Sequence, residues 1–376
     1  MINVKNKLLS SVVNSKHGIH LTTYIKFDGN ILRFRKTLNE LLVTANQHLS
    51  PVMTAEEKKR FLKPLYDLGF DAETLKKFKG NLGIFRKNDF FRYISLPTEI
   101  EETCIVADSF HIKPLIKWAQ QDQDFILVGL TFEGANIYKG SQSDFKKIES
   151  AIYPESLQRL DNDGGYLALK DKRLYKKELV HTMEWLAGLV EELTNGQNLT
   201  VFVAGNHDSV KAFIKSYKSD KLYPETASPF YSDSNVYELC KHIRAILRLD
   251  ASLQFHKILQ EFEIAQKLKT AKTNIFQIAK DAVKGNVKKL VIAEDFSVFG
   301  KINPLNGGVS VYAVDKDHED DCLLDDLAQL VLLKGGEVVV AKRTEIPSGR
   351  PIIAILHHQK TELYTDLSTQ QKSIAV

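Results

Sequence analysis

The residues with the clearest chemical possibilities lie in one stretch, Leu160 to Leu193. Asp161-Asn162-Asp163 runs into Gly164-Gly165-Tyr166, and a Lys/Arg cluster follows at Lys170, Lys172, Arg173, Lys176 and Lys177. Paired glycines let a backbone approach a partner closely and adopt positive φ. A tyrosine at the tip can stack on an exposed base, and the cations suit phosphate oxygens. This is equipment for contact with nucleic acid. An ordinary surface loop ahead of a surface helix is the competing reading.

Further on, Gly205-Asn206-His207-Asp208 follows a strand-like run, as in one metal-binding block of the calcineurin-like phosphoesterases. Two-metal chemistry needs several such blocks. The upstream Asp-x-His and GDxxD segments are missing, and Asp108-Ser-Phe-His111 has the wrong spacing. No metal site is expected, and His207 and Asp208 read as the start of a helix. His357 and His358 are adjacent on a strand and point to opposite faces. His17 and His20 have no cysteine or carboxylate pattern around them. There is no P-loop, no GxGxxG and no GxSxG elbow. The glycine-rich run Gly300 to Val311 reads as a loop, and no cofactor is expected.

Composition narrows the class. The chain has 376 residues, 43% hydrophobic and 26% charged, enough for two or three globular domains. Net charge is only +4, so nucleic-acid contact must come from local patches. Cys104, Cys240 and Cys322 are far apart and read as reduced thiols of a cytoplasmic protein. No apolar run is long enough to span a bilayer and no signal peptide is visible, so no membrane partner is expected.

The elements that must position these residues fall into three α/β units: 1–121, 122–245 and 246–376. In the first, His20 to Phe27 reads as a strand and Asp28-Gly29-Asn30 as a turn. A helix starts near Leu32, so Lys26, Arg33, Arg35 and Lys36 make a basic, hairpin-like tip. Thr54 with Glu57 forms a capping box, and Pro64 is expected to end that helix. Asp71 opens another helix, to Phe78. Asn81–Phe85 and Phe90–Ile94 are strands, and Cys104 to Trp118 closes the unit. In the second, Phe125–Leu130 and Ala135–Tyr138 form a hairpin at Glu133-Gly134. A helix with Leu174, Leu179, Met183, Leu186, Val190 and Leu193 on one face follows the Gly-Gly loop. In the third, Ile246–Lys269 is helical and links the units. Strands at Lys289–Ala293, Val309–Val314, Glu337–Ala341 and Ile352–Leu356 alternate with helices at Asn274–Lys284 and Cys322–Leu333.

The run LLDDLAQLVLLKGGEVVVAKRTEIPSGRPIIAILHH, 323 to 358, resembles the C-terminal domain of Pelota and the archaeo-eukaryotic class-I release factors. Ala354-Ile355-Leu356 matches, and His357 stands where an Arg is usual. The hairpin, Gly-Gly loop, basic helix and strand ending Ala204-Gly205 look like that family's central domain. VADSFHIKPLIKW, 106 to 118, looks like the segment preceding it in bacterial members. The resemblance implies three small α/β domains, the last with the fold of kink-turn-binding ribosomal proteins. It implies a monomeric, cytoplasmic factor in the ribosomal A site of the 70S ribosome, with EF-Tu as partner. Lys26, Asp28, Gly29, Asn30, Arg33 and Arg35 would then meet 16S rRNA at the decoding centre. Asp163, Gly164, Gly165, Tyr166, Lys170, Lys172 and Arg173 would meet 23S rRNA at the peptidyl transferase centre.

Release factors carry Gly-Gly-Gln at that loop, where this chain has Gly164-Gly165-Tyr166. Tyrosine lacks the amide that places the hydrolytic water. The expectation is therefore a hibernation factor that inhibits translation, not an enzyme. A ribosome-rescue peptidyl-tRNA hydrolase using Asn162, Asp163 or Tyr166 is the alternative. A small-RNA-binding protein and a metallophosphoesterase are further readings.

Overall fold

The computed structural model describes residues 4–15, 18–78, 80–97, 99–131, 133–155, 157, 169–197, 199–224, 235–312 and 321–357. Within them the chain is mixed α/β, with three four-stranded sheets and one three-stranded sheet.

The first sheet has order β3-β2-β1-β4, formed by Phe90–Leu96, Asn81–Lys87, His20–Ile25 and Thr103–Ala107. Its strands pair antiparallel throughout. All six residues of β1 are buried, so both faces of this central strand are covered. Alternation sends Leu21 and Ile25 under helices α2 (Ile31–Leu49) and α3 (Ala55–Phe70). Tyr24 points the other way, against Phe85. The Thr54–Glu57 capping box forms as expected. Pro64 does not end α3, which runs on to Phe70. Interior proline costs about 3 kcal/mol. Burial of Leu65 and Leu68 on the same face as Phe61 and Leu62 offsets it. Asp71 caps only the short α4, Ala72–Leu75. An N-terminal helix, α1 (Val4–Val13), was not expected from the sequence.

The segment expected to close this unit, Cys104 to Trp118, divides: its start lies in β4 of the first sheet, and its end packs on the last unit. Helix α5, Lys113–Gln121, buries Leu115, Ile116 and Trp118 in a core shared with Leu290, Leu324 and Leu327. Gln120 hydrogen-bonds Val338 O at 2.9 Å and accepts from Val340 N at 3.3 Å. It thereby covers the open edge of a strand.

The second sheet has order β7-β6-β5-β8, from Phe145–Ile152, Gly134–Gly140, Phe125–Leu130 and Thr200–Ala204. β5 and β8 run parallel, so their connection must cross over, and α6, Leu169–Thr194, lies in it. Leu179, Met183, Leu186 and Val190 of α6 are buried on one face of the sheet. Leu174, assigned to that face from spacing, is half exposed. Gly205 follows β8 because a Cβ there would meet Leu130 Cβ at 2.7 Å and Leu130 O at 2.8 Å. It opens into α7, His207–Ser216.

Helix α8, Val236–Lys267, begins earlier than expected and serves two sheets. Leu239, Ile243 and Leu247 cover the second sheet at Phe125 and Phe202. Ile258, Phe262 and Ala265 cover the third at Val291 and Ile353. That third sheet has order β14-β10-β15-β9, from Glu337–Ala341, Val287–Ala293, Ile352–Leu356 and Ala271–Lys272. Helices α9 (Ile275–Val283) and α10 (Leu323–Leu333) cover its other face with α5. β11 (Phe299–Ile302), β12 (Val309–Tyr312) and β13 (Asp321–Cys322) form the small sheet beside it.

Candidate nucleic-acid interface

The residues expected to meet the decoding centre form the entry to α2 rather than a hairpin tip. Asn30 caps the helix by accepting from Arg33 N at 3.1 Å. Asp28 accepts from Asn30 N at 3.0 Å and from the Arg33 guanidinium at 3.1 Å. The Asn30 N–H, with Arg33, holds the Asp28 carboxyl below its ordinary range. Gly29 turns the chain at φ 90°, where a side chain would be strained. Arg33 is exposed but committed to Asp28, and exposed Lys26 has no partner among the described residues. Arg35 is not a free phosphate ligand: its Nε donates to Gly69 O at 2.6 Å, at the end of α3. Its guanidinium lies 5.0 Å from the ring centre of Phe70, which is 69% exposed.

Phe70 was missed from the sequence for a traceable reason. Ending α3 at Pro64 cut Tyr66 and Phe70 away from Lys59 and Lys63. With the helix continuous, spacing of four, three and four puts these residues on one face.

Asp163, Gly164, Gly165 and Tyr166 lie outside the described residues. Lys170 and Lys172 fall in the first turn of α6, and Arg173, Lys176 and Lys177 on its exposed surface. Charge is divided unevenly among the three units. Residues 1–121 carry 19 Lys and Arg against 12 Asp and Glu; residues 122–245 carry 15 against 18, and the remainder 17 against 17. The positive excess therefore belongs to the first unit, whereas the second is basic only locally, around 170–177.

The GNHD block is a helix start: Asn206 accepts from Ser209 N at 2.9 Å, with His207 and Asp208 exposed in the first turn. No group of three His, Cys, Asp or Glu that could hold a metal occurs among the described residues. His20 is a core residue, edge-on to Phe110 at 4.5 Å, and burial pushes its imidazole down to about 4. His357 is exposed and donates its backbone N–H to Asn286 O. His17 and His358 lie outside the described residues. The three cysteines are free thiols. No described helix is long and apolar enough to cross a membrane.

A polar junction joins the first and last units, where sequence suggested no site. Asp325 Oδ1 accepts from Ile112 N at 2.8 Å and Lys113 N at 3.0 Å, capping α5, which has no side-chain cap of its own. Lys113 Nζ donates to Phe296 O at 2.9 Å, and Lys117 pairs with Glu294. Ser109 donates to Asp326 at 2.9 Å, and Gln329 donates to Phe110 O at 2.7 Å. Burial pushes the Asp326 carboxyl up to about 7, against the Ser109 bond and with the Asp325 and Asp108 charges adding to the rise. Burial also raises Asp325, but His111, Lys113 and the Ile112 N–H outweigh it and hold that carboxyl below its ordinary range.

The sequence matches no protein-family profile and no curated protein. Solved structures similar to it include ribosome-bound archaeal Pelota, described together with ABCE1: 13% identity over 94% of each chain, TM-score 0.42. The S. cerevisiae translation termination-like factor Dom34 is 13% identical over 76% of this chain and 81% of that one, TM-score 0.41. The archaeal translation termination factor aRF1 is 16% identical over 94% and 97%, TM-score 0.24. None of these superpositions reaches a TM-score of 0.5, and the architecture above rests on the chain's own elements.

Proposed function

We propose that this chain is a ribosome-binding factor that occupies the A site and inhibits translation, a hibernation factor resembling Balon. The observation that carries the reading is Gly164-Gly165-Tyr166 at the approach to the basic start of α6, where release factors carry Gly-Gly-Gln. The positive excess of residues 1–121 supports a first unit turned towards rRNA at the decoding centre. The second unit sends its loop to the peptidyl transferase centre, and the third meets EF-Tu. Tyr166 lacks the amide for placing water, so peptidyl-tRNA is not hydrolysed.

The test is co-sedimentation with vacant 70S ribosomes in competition with A-site tRNA, with peptide release measured in parallel. Binding that tRNA displaces, without release, is expected. Binding that ignores tRNA sinks the placement. Release at the rate of a Gly-Gly-Gln factor establishes the rescue-hydrolase alternative instead.

A further inference from the structure

The face of α3 that carries Lys59, Lys63, Tyr66 and Phe70 has no assigned role. All four are exposed, Tyr66 at 39% and Phe70 at 69%. Tyr66 and Phe70 thus place two exposed aromatic rings one helical turn apart on this face. Neither Lys59 nor Lys63 has a partner among the described residues, whereas Lys58 binds Ser50 and Arg60 pairs with Glu56. Asp67 is an exposed acid beside this row. At the far end Arg35 is held against Phe70 by hydrogen bonds to the Gly69 and Phe70 carbonyls, at 2.6 and 3.4 Å. The guanidinium plane is thus fixed before any ligand arrives. Arg35 is one helical turn from the Asp28–Asn30 cap, so exposed Lys26 and Arg33 lie at the same end.

Aromatic rings and an Arg plane that stack on bases, continued along the same helix face by unpaired lysines, are the chemistry that holds unpaired RNA. An apolar protein surface would leave the lysines without partners, and paired RNA would leave the rings without bases. We infer that Phe70 with Arg35, extended by Tyr66, is a stacking site for unpaired RNA bases, and that Lys59 and Lys63 hold the adjoining phosphates. The inference deepens the A-site reading by naming what the first unit grips, and it rests on that reading only for the identity of the RNA.

The experiment measures binding of the full chain to a fluorescent single-stranded oligoadenylate RNA. A fully paired RNA hairpin with the same number of phosphates serves as the comparison. Phe70→Ala should weaken the single strand about tenfold, with the salt slope unchanged and the hairpin unaffected. Phe70→Trp should restore binding. Lys59→Ala with Lys63→Ala should lower the salt slope by roughly 1 to 2. Phe70 is exposed, so circular dichroism should show these variants folded. The inference fails if the native chain does not bind the single strand, if Phe70→Ala binds it as the native chain does, or if both RNAs weaken equally. Ribosome co-sedimentation of the same variants separates the two readings. If Phe70→Ala loses ribosomes but keeps the oligonucleotide, the ring meets protein, and the stacking site falls while the A-site reading stands. If the native chain binds the oligonucleotide through Phe70 but no ribosomes, the reverse holds.

Discussion

His111 Nδ1 lies 2.6 Å from Asp325 Oδ2, joining the segment after the first sheet to the first turn of α10 in the last unit. The contact is short but lacks a well-angled hydrogen bond at that oxygen. His111 is also tied to β1: its N–H donates to Thr22 at 3.0 Å and its carbonyl accepts from Tyr24 at 2.7 Å. One residue therefore touches β1 of the first sheet and helix α10 of the last unit, and the relation of the first unit to the third depends on a buried carboxylate.

Asp325→Ala leaves the Ile112 and Lys113 N–H groups and His111 without an acceptor. We expect a loss of about 2–4 kcal/mol in urea unfolding. Asp325→Asn keeps the Oδ1 acceptor and should cost less. Equal stability of Asp325→Ala and the native chain would show that the junction contributes nothing.

Asp326 gives the fold a pH dependence of definite sign. Its folded pKa of about 7 lies above the ordinary aspartate value, so the folded chain holds a proton that the unfolded chain has lost. Its contribution is fully present below about pH 4 and is lost as pH rises through about 7. Asp326→Asn should therefore match the native chain near pH 4 and exceed it at pH 8, by about 1–3 kcal/mol given the residue's remaining solvent contact. Urea midpoints at the two pH values decide it. A variant whose advantage over the native chain is no larger at pH 8 than at pH 4 would refute the assignment.

The Gly-Gly loop and the basic turn should fail in different ways. Gly164→Val with Gly165→Val should weaken ribosome binding with little change in salt slope, because fit is lost and charge is kept. Lys170, Lys172 and Arg173 to Ala should flatten the slope by roughly 2. Affinity across a salt series reads both effects, with circular dichroism as the folding control. Native-like binding by both folded variants would remove the loop from the interface.

At the start of α7, Asn206→Ala should cost about 1 kcal/mol through loss of the cap. His207→Ala and Asp208→Ala should leave ribosome binding unchanged. Thermal unfolding and elemental analysis test this together. Two bound transition metals per chain would overturn the helix-cap reading.

What sequence determined by itself is local. Thr54–Glu57 capping, the 179/183/186/190 face of α6 and the β5–β6 hairpin rest on side chains and backbone a few residues apart, and their spacing carries them. That a tyrosine, Tyr166, and no glutamine follows Gly164-Gly165 is likewise a fact of sequence, because it concerns which groups are available rather than where they lie. Tertiary structure decided what depends on competing energies or distant partners. Pro64 stays inside α3 because Leu65 and Leu68 are buried beneath α2, a gain invisible to local propensity. That continuity alone brings Tyr66 and Phe70 into line with Lys59 and Lys63. Arg35 reads as a phosphate ligand until the fold places Gly69 O beside it. Lys113 opens a helix whose cap comes from Asp325, far along the chain, and no spacing rule reaches that distance. Helix α8 looks like a linker, yet its two halves close two different cores because each sheet has a face left to cover.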